Sequence, residues 1–393
     1  ENTKNIDLVG EKLSKYLGLD LNLDPEIKGG VYEPSTFEIT DELKDLVKEY
    51  AGSFKDIDFS RVGLWDMRKN SIFCTVGPSS LNKKFLKITQ NKVNLLRLNL
   101  SHLSLKELVK NINFIRKYSK VPICIDTEGA QIRTKVKSNK FFKLNRTGKL
   151  EKYNKKGFSF YPFEIFDKIK VGDIFSIGFK GLKIKITKKN KLNLFFKVIK
   201  EGYLENNKGV HLNNRNIKIN FLTNKDKEAI KISKKLNIKY FALSFTNSQK
   251  DIINFSKLLP NQIKVYKIET KKALNNFKEL VKYGSNFLID RGDLSQDITI
   301  EKIPLAQRKI IYIAKKYKDK NVYVATNFLE SMIKTSYPTR AEANDIFNTL
   351  EMGASGLVLA EETAVGNYPI ECVNFLRSIY SSFQKYKKNN YNL

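Results

Sequence analysis

Cysteine is scarce: three occur in 393 residues, Cys74, Cys124 and Cys372. The number is odd and the positions lie far apart, so neither a disulfide framework nor a zinc-ligand spacing is available. Two of the three fall inside apolar runs, where a free buried thiol is the ordinary reading. A reducing compartment is therefore expected, the cytoplasm or an organelle with a reducing interior. Long hydrophobic runs are also missing, and none approaches the ~18–20 residues of a membrane span. The opening ENTKNIDLVG lacks a basic segment followed by an apolar one, so no signal peptide is expected. Without an initiating Met, that first residue is not expected to be the native start. Acidic residues are outnumbered, 41 against 71 Lys and Arg, for a formal net charge of +30. Such a field invites a nucleic-acid reading. The cations, however, are dispersed Lys rather than a compact Arg patch, and Asn and Ile are abundant. The balance is read first as the composition of an AT-rich genome, second as attraction for anionic small molecules, and last as nucleic-acid binding. Neither nucleic acid nor a membrane is an expected partner.

What is present is a rhythm. Eight short runs rich in β-branched and aromatic residues recur: SIFCTVG (71–77), VNLLRLN (93–99), VPICIDT (121–127), IKYFALSF (238–245), IKVYKIE (263–269), SNFLID (285–290), NVYVAT (321–326) and SGLVLA (355–360). Hydrophobicity within them is continuous, which means burial on both faces, as in a parallel sheet covered by helices. Helical periodicity fills the intervals, most clearly at 81–90, 104–118, 224–236 and 340–353. Eight strand–helix units make a closed (β/α)8 TIM barrel the expected fold, with its site at the C-terminal strand ends.

One gap breaks the rhythm, between the third and fourth strands. There VGDIFSIGFKGLKIKI (171–186) and KLNLFFKVI (191–199) alternate as half-buried strands do. Residues 135–208 are read as a small β domain inserted into the barrel (71–134 and 209–393), acting as a mobile lid. Residues 1–70 are read as a helical extension, with SKYLGL and TDELKDLVKEY as its helices and Thr40 as an N-cap.

Several apolar runs end in charge at the same end. KVYKIET (264–270) brings Lys267 and Glu269 to one face of a strand, because residues two apart share a side. Asp293 follows the next run, so two carboxylates come from neighbouring units. Two carboxylates and few other ligands suit Mg²⁺, which takes waters and substrate oxygens for the rest. A lysine beside that metal is a cation placed for a phosphoryl group or a developing enolate. The plain alternative is a Lys–Glu ion pair closing a barrel rim. Strand two adds Arg97, Asn99 and Ser101 at alternate positions, strand three adds Asp126, Thr127 and Arg133, and strand seven ends in the hydroxyl of Thr326. Those oxygens suit a monovalent or divalent cation, and the arginines suit phosphate or carboxylate. Each alone also reads as a turn or cap.

Motif order then carries a resemblance. CTVGPSS (74–80), LRLNLSH (96–102), DTEGAQIRT (126–134), KIE (267–269), RGDL (291–294), ATNFLESMI (325–333), PTRAEANDI (338–346) and EETAVGNYP (361–369) resemble, collinearly, the blocks of the pyruvate kinase family. The resemblance implies the same barrel with a lid after the third strand. It implies a site for phosphoenolpyruvate and pyruvate: Glu269 and Asp293 on Mg²⁺ or Mn²⁺, and Lys267 stabilising the phosphoryl group and the enolate. It also implies Arg97 on the phosphate, the Arg291–Gly292–Asp293 turn on the carboxylate, and Thr326 beside the carbon that is protonated. Asn99, Ser101, Asp126 and Thr127 would bind K⁺, while His102, Arg133 and Lys208 would face ADP or ATP.

Departures from the family pattern cluster on the nucleotide side. The lid turn that usually reads Asp-Asp-Gly is SIGFKGL (176–182), with Gly178, Phe179 and Lys180 and no carboxylate. The usual Lys-Gly-Pro-Glu is Glu128-Gly129-Ala130-Gln131, which bears on K⁺ dependence. Leu103 and Ser295 replace glycines, Ala360-Glu361-Glu362-Thr363 replaces Ser-Gly-Glu-Thr, and Asn327 replaces Gln. The sequence ends after a final helix (368–386), so the family's C-terminal regulatory domain is not expected. Sugar-phosphate activation and a tetramer are accordingly not expected, and a homodimer through barrel contacts is. Three readings follow: a trimmed pyruvate kinase, a relative acting on phosphoenolpyruvate, pyruvate or another 2-oxo acid with a different acceptor, or a non-catalytic regulator.

Overall fold

The eight apolar runs form eight parallel strands that close on themselves: β1 Ser71–Thr75, β2 Leu95–Asn99, β3 Ile123–Asp126, β4 Tyr240–Leu243, β5 Ile263–Ile268, β6 Asn286–Asp290, β7 Asn321–Ala325 and β8 Gly356–Leu359. Each strand pairs with its neighbours in sequence, and β1 pairs with β8 through Ser71↔Gly356 and Phe73↔Val358. This computed structural model describes residues 71–153, 157–178, 181–215, 217 and 219–388. The helices expected within 1–70 lie outside the described residues.

A helix follows every strand: α1 Lys83–Thr89, α2 Leu105–Tyr118, α3 Asn224–Lys235, α4 Gln249–Leu258, α5 Lys271–Tyr283, α6 Ile303–Lys315, α7 Arg340–Glu351 and α8 Pro369–Lys388. Their starts are set by local chemistry. Ser104, Thr223, Ser248 and Thr339 each cap a helix and form a capping box with Glu107, Asp226, Asp251 and Glu342. Such a cap contributes ~1 kcal/mol. None of the described helices is long and apolar enough to cross a membrane.

Strand alternation sorts the side chains into two cores. Outward residues such as Ile72, Leu96, Tyr266 and Ile289 pack against the helices. Inward residues, among them Phe73, Leu95, Cys124, Ala242, Val265, Leu288, Tyr323 and Ala325, fill the barrel. The rings of Phe73 and Tyr323 lie 4.5 Å apart inside it. All three cysteines are buried free thiols. This filled interior makes the barrel a solid support whose only open chemistry lies beyond the strand ends.

The insertion after β3 is an antiparallel seven-stranded sheet, in the order Thr147–Glu151, Asn193–Lys200, Leu182–Lys189, Ile174–Ile177, Gly209–Leu212, Ile132–Lys135 and Ser159–Tyr161. A two-stranded ribbon joins Lys140–Phe142 to Gly202–Leu204. The sheet buries Phe160, Phe175, Ile184, Ile186, Phe196 and Val198 in its own core. It reaches past the expected 135–208 limits at both ends, because Arg133 and Ile132 pair with Gly209 and Val210.

Candidate active site

Parity within each strand decides what reaches the mouth. Residues two apart share a face, so the residue two beyond an inward core residue also points inward, but past the packed layers. Thr75 follows Phe73, Arg97 follows Leu95, Asp126 follows Cys124, Ser244 follows Ala242, Lys267 follows Val265 and Asp290 follows Leu288. A second step from Lys267 gives Glu269. The barrel therefore brings together Arg97, Asp126, Lys267, Glu269 and Asp293, as the sequence suggests. It adds Thr75 and Ser244, which the sequence reading left out although the same parity marks them, and Asp290, which the sequence marks as the charged end of the sixth run without a role in the site.

Lys267 is the hub of this cluster. Its Nζ lies 2.7 Å from Glu269 Oε1, 3.2 Å from Asp126 Oδ2 and 3.5 Å from Asp290 Oδ2. Asp126 Oδ2 also accepts a bond from Arg97 Nε (2.7 Å), and its Oδ1 accepts from Ser244 Oγ (3.0 Å). Arg97 Nη1 donates to Thr75 Oγ1 at 2.9 Å. Asp126, Glu269 and Lys267 are essentially inaccessible to solvent. Burial opposes ionisation of Asp126, but the Arg97 and Lys267 cations hold its carboxyl below the usual aspartate value. Burial would likewise lower Lys267, yet Asp126 and Glu269 hold it above the ordinary lysine value, so it stays charged. Burial pushes the Glu269 carboxyl up, and Asp290 and Asp293 add to the rise against the opposing pull of Lys267. A divalent cation beside Glu269 would reverse that rise.

Glu269, Asp290 and Asp293 each present a carboxylate oxygen, all within 4.8 Å of one another. Glu269 Oε2 is fixed by the Phe245 amide at 2.6 Å. Its Oε1 is buried and receives no hydrogen bond, despite lying close to Lys267 Nζ. An all-oxygen set with one buried oxygen left without a hydrogen bond fits a hard cation, Mg²⁺ or Mn²⁺.

Across the mouth, the chain leaves β7 through two consecutive non-glycine residues in the left-handed region, Thr326 (φ 77°) and Asn327 (φ 58°). A β-branched residue at such an angle is a strained outlier that its surroundings must enforce. Arg291 supplies part of that enforcement. Its guanidinium donates to the Thr326 carbonyl (Nε, 3.2 Å), pairs with Asp345 at 2.7 Å and lies 4.1 Å over the Phe328 ring. Thr326 Oγ1 accepts from the Gly292 amide at 2.9 Å. The Arg291 side chain thus braces the β7 turn, and the Gly292 amide is engaged by Thr326.

The oxygens expected around K⁺ are neighbours, with Asn99 and Asp126 register partners on β2 and β3. Asn99 Oδ1 accepts from the Ser101 amide at 3.0 Å, and Thr127 Oγ1 accepts from the Ser244 amide at 3.0 Å. The expected nucleotide residues lie where sheet and barrel meet. His102 ends a short 3-10 turn, Leu100–His102. Its imidazole is held below the usual histidine value by partial burial and by the cations Arg133, Arg97, Lys208 and Lys225. Arg133 Nη1 donates to the Asn207 carbonyl (3.2 Å), while its Nε is buried without a hydrogen-bond partner. Lys208 Nζ lies 3.8 Å from Glu205 and is half exposed. The sheet meets the mouth through Asn207 Nδ2 to the Ser101 carbonyl (2.7 Å), Gln131 Nε2 to Asp293 Oδ1 (3.3 Å) and His211 Nδ1 near Asp297 (3.4 Å). Of the altered lid turn, Gly178 is left-handed (φ 61°), and Phe179 and Lys180 lie outside the described residues.

The β3 loop owes its place to α3. Asp226, a capping-box carboxylate, also accepts from the Glu128 amide (2.7 Å) and the Gly129 amide (3.1 Å). Glu128 in turn pairs with Lys225 at 2.9 Å. Gly129 (φ 68°) approaches β4 so closely that a Cβ would lie 2.5 Å from the Ser244 carbonyl oxygen.

A (β/α)8 barrel with a β-sheet inserted after its third strand, and with a lysine, an arginine and clustered carboxylates at its C-terminal mouth, defines an enzyme built for anionic substrates. Comparison with known proteins narrows that class. The family model for "Pyruvate kinase, barrel domain" matches residues 67–373. Pyruvate kinase of Thermotoga maritima is 33% identical over 337 residues, which is 81% of this chain and 72% of that protein. Pyruvate kinase of Staphylococcus aureus is 32% identical over 343 residues, or 82% of this chain and 58% of that protein. The chain belongs to the pyruvate kinase family.

Proposed function

We propose that the chain is a pyruvate kinase-like phosphotransferase, moving a phosphoryl group between phosphoenolpyruvate and ADP through the enolate of pyruvate. The observation that carries this reading is the convergence of Lys267, Arg97, Glu269 and Asp293, from three different units, on one mouth in the family's motif order. A phosphoryl transfer of this kind needs positioning and charge stabilisation more than covalent chemistry. Arg97, fixed by Asp126 and Thr75, holds the phosphate. Lys267 compensates charge on the phosphoryl oxygens in flight and then on the enolate oxygen. The N-terminal amides of the helix Arg291–Asp297, at Arg291–Gly292–Asp293, receive the substrate carboxylate, and Thr326, aligned by the bond it accepts from the Gly292 amide, stands beside the methylene carbon to be protonated. Glu269 and Asp293 hold Mg²⁺ or Mn²⁺, which when bound neutralises carboxylate and phosphate charge.

Asn99, Ser101, Asp126 and Thr127 take K⁺, and His102, Arg133 and Lys208 take the nucleotide phosphates; the cations gathered around His102 support that part. The sheet after β3, which reaches from Ile132 to Leu212, is the lid over this site. The buried free thiols suit a reducing interior, the cytoplasm or a reducing organelle.

The test is a coupled assay with phosphoenolpyruvate, ADP and Mg²⁺. Pyruvate formation that Lys267→Ala abolishes is expected. Absence of turnover, with Lys267-dependent exchange of the methyl protons of pyruvate, would move the reading to an enolate enzyme with another acceptor. Absence of both, with no binding of phosphoenolpyruvate, would overturn it.

A further inference from the structure

We propose that Asp290 is a third carboxylate ligand of the divalent cation, making a metal centre that loads before substrate. The inference rests on the reading above and extends it to a residue outside the Glu269–Asp293 pair.

Three observations carry it. First, Asp290 is the last residue of β6 and shares the inward face with Leu288, so its carboxylate enters the mouth by strand parity. It is 5% exposed, and one of its oxygens lies within 4.8 Å of oxygens of both Glu269 and Asp293. Second, the protein does not otherwise satisfy the trio. The nearest cation to Asp290 is Lys267 at 3.5 Å, beyond a good hydrogen bond, and Glu269 Oε1, though 2.7 Å from the same Lys267 Nζ, is buried and accepts no well-aligned hydrogen bond, so one ammonium is shared between the two carboxylates. Third, the charges do not balance. Arg97 and Lys267, with Arg133 acting on Asp293, face Asp126, Glu269, Asp290 and Asp293, an excess of negative charge in a largely desolvated space. A divalent cation removes that excess, and buried carboxylates without a counter-charge are strongly disfavoured.

The functional consequence follows from ligand count. Two carboxylates hold a cation loosely until substrate oxygens join its shell, whereas a third carboxylate holds it more firmly with water alone in the remaining positions. The mouth then presents a neutralised centre to the anionic substrate, and metal binding comes first.

The experiment is Mn²⁺ binding to the full chain without substrate, read by electron paramagnetic resonance of free Mn²⁺. Wild type, Asp290→Asn, Asp290→Ala and Glu269→Gln are compared, with thermal melts of the metal-free proteins to show that each folds. Expected is Mn²⁺ affinity about tenfold or more weaker in both Asp290 variants, and little binding in Glu269→Gln. Wild-type Mn²⁺ affinity in both Asp290 variants, with loss in Glu269→Gln, would overturn the third ligand and leave the proposed function standing. Wild-type affinity in all three would overturn the metal centre itself. If Asp290 served only to pair with Lys267, Asp290→Asn would lower the melting temperature and leave Mn²⁺ binding unchanged, which also refutes the proposal.

Discussion

Asp126→Asn is the most informative single change, because Asp126 stands beneath the whole charge cluster. Its carboxylate accepts from Arg97 Nε at 2.7 Å, Lys267 Nζ at 3.2 Å and Ser244 Oγ at 3.0 Å, and the three charged groups are at most 8% exposed in their side chains. Removing one member of a buried ion pair costs about 3–5 kcal/mol, since the partner stays buried without its counter-charge. Asparagine keeps an oxygen acceptor and Lys267 keeps Glu269, so the lower end, about 3 kcal/mol, is expected. For a chain of this size that corresponds to a Tm lower by roughly 4 °C. Urea or thermal unfolding measures it, and the double variant Arg97→Met/Asp126→Asn isolates the pair. Removing both partners should cost less than the sum of the single changes, with a coupling of about 1–3 kcal/mol.

The pH dependence has a defined sign. The folded carboxyl of Asp126 lies below its unfolded value, so its stabilisation is present above about pH 4 and is lost as pH falls through the folded value. The gap between wild type and Asp126→Asn should therefore be constant near neutrality and close only in acid. Additive costs, or a Tm within about a degree of wild type, would refute the view that Asp126 anchors Arg97 and Lys267.

Other outcomes test the surrounding scaffold and the chemistry. Gly129→Ala sets a Cβ against the Ser244 carbonyl at a left-handed angle; a loss of about 1–3 kcal/mol is expected in urea unfolding, with weaker turnover because Ser244 contacts both Asp126 and Lys267. Thr326→Val keeps the branched shape and deletes the hydroxyl that meets the Gly292 amide. Its kcat in the coupled assay should fall by about 100-fold while KM for phosphoenolpyruvate changes little. An unchanged kcat would remove Thr326 from the protonation step.

The sequence by itself determined the barrel and the direction in which its chemistry faces. Continuous apolar runs can be buried on both sides only in a covered parallel sheet, and a period of two then fixes which residues emerge at the mouth. Lys267 and Glu269 were legible for that reason, and Asp290 and Ser244 were legible in principle, as the second residues after Leu288 and Ala242. Tertiary structure decided what depends on neighbours distant along the chain. The Arg291 side chain turns to Asp345 and Phe328 because those groups come from the β7 and α7 segments. Thr326 bonds the Gly292 amide because the chain leaves β7 at a positive φ, which strand parity does not foresee. Asp226 reads locally as a helix cap, and only the packing of α3 beneath the β3 loop makes it the anchor of Glu128 and Gly129. Local periodicity sets the face a side chain points to, but its partner is set by which segments the closed barrel brings side by side.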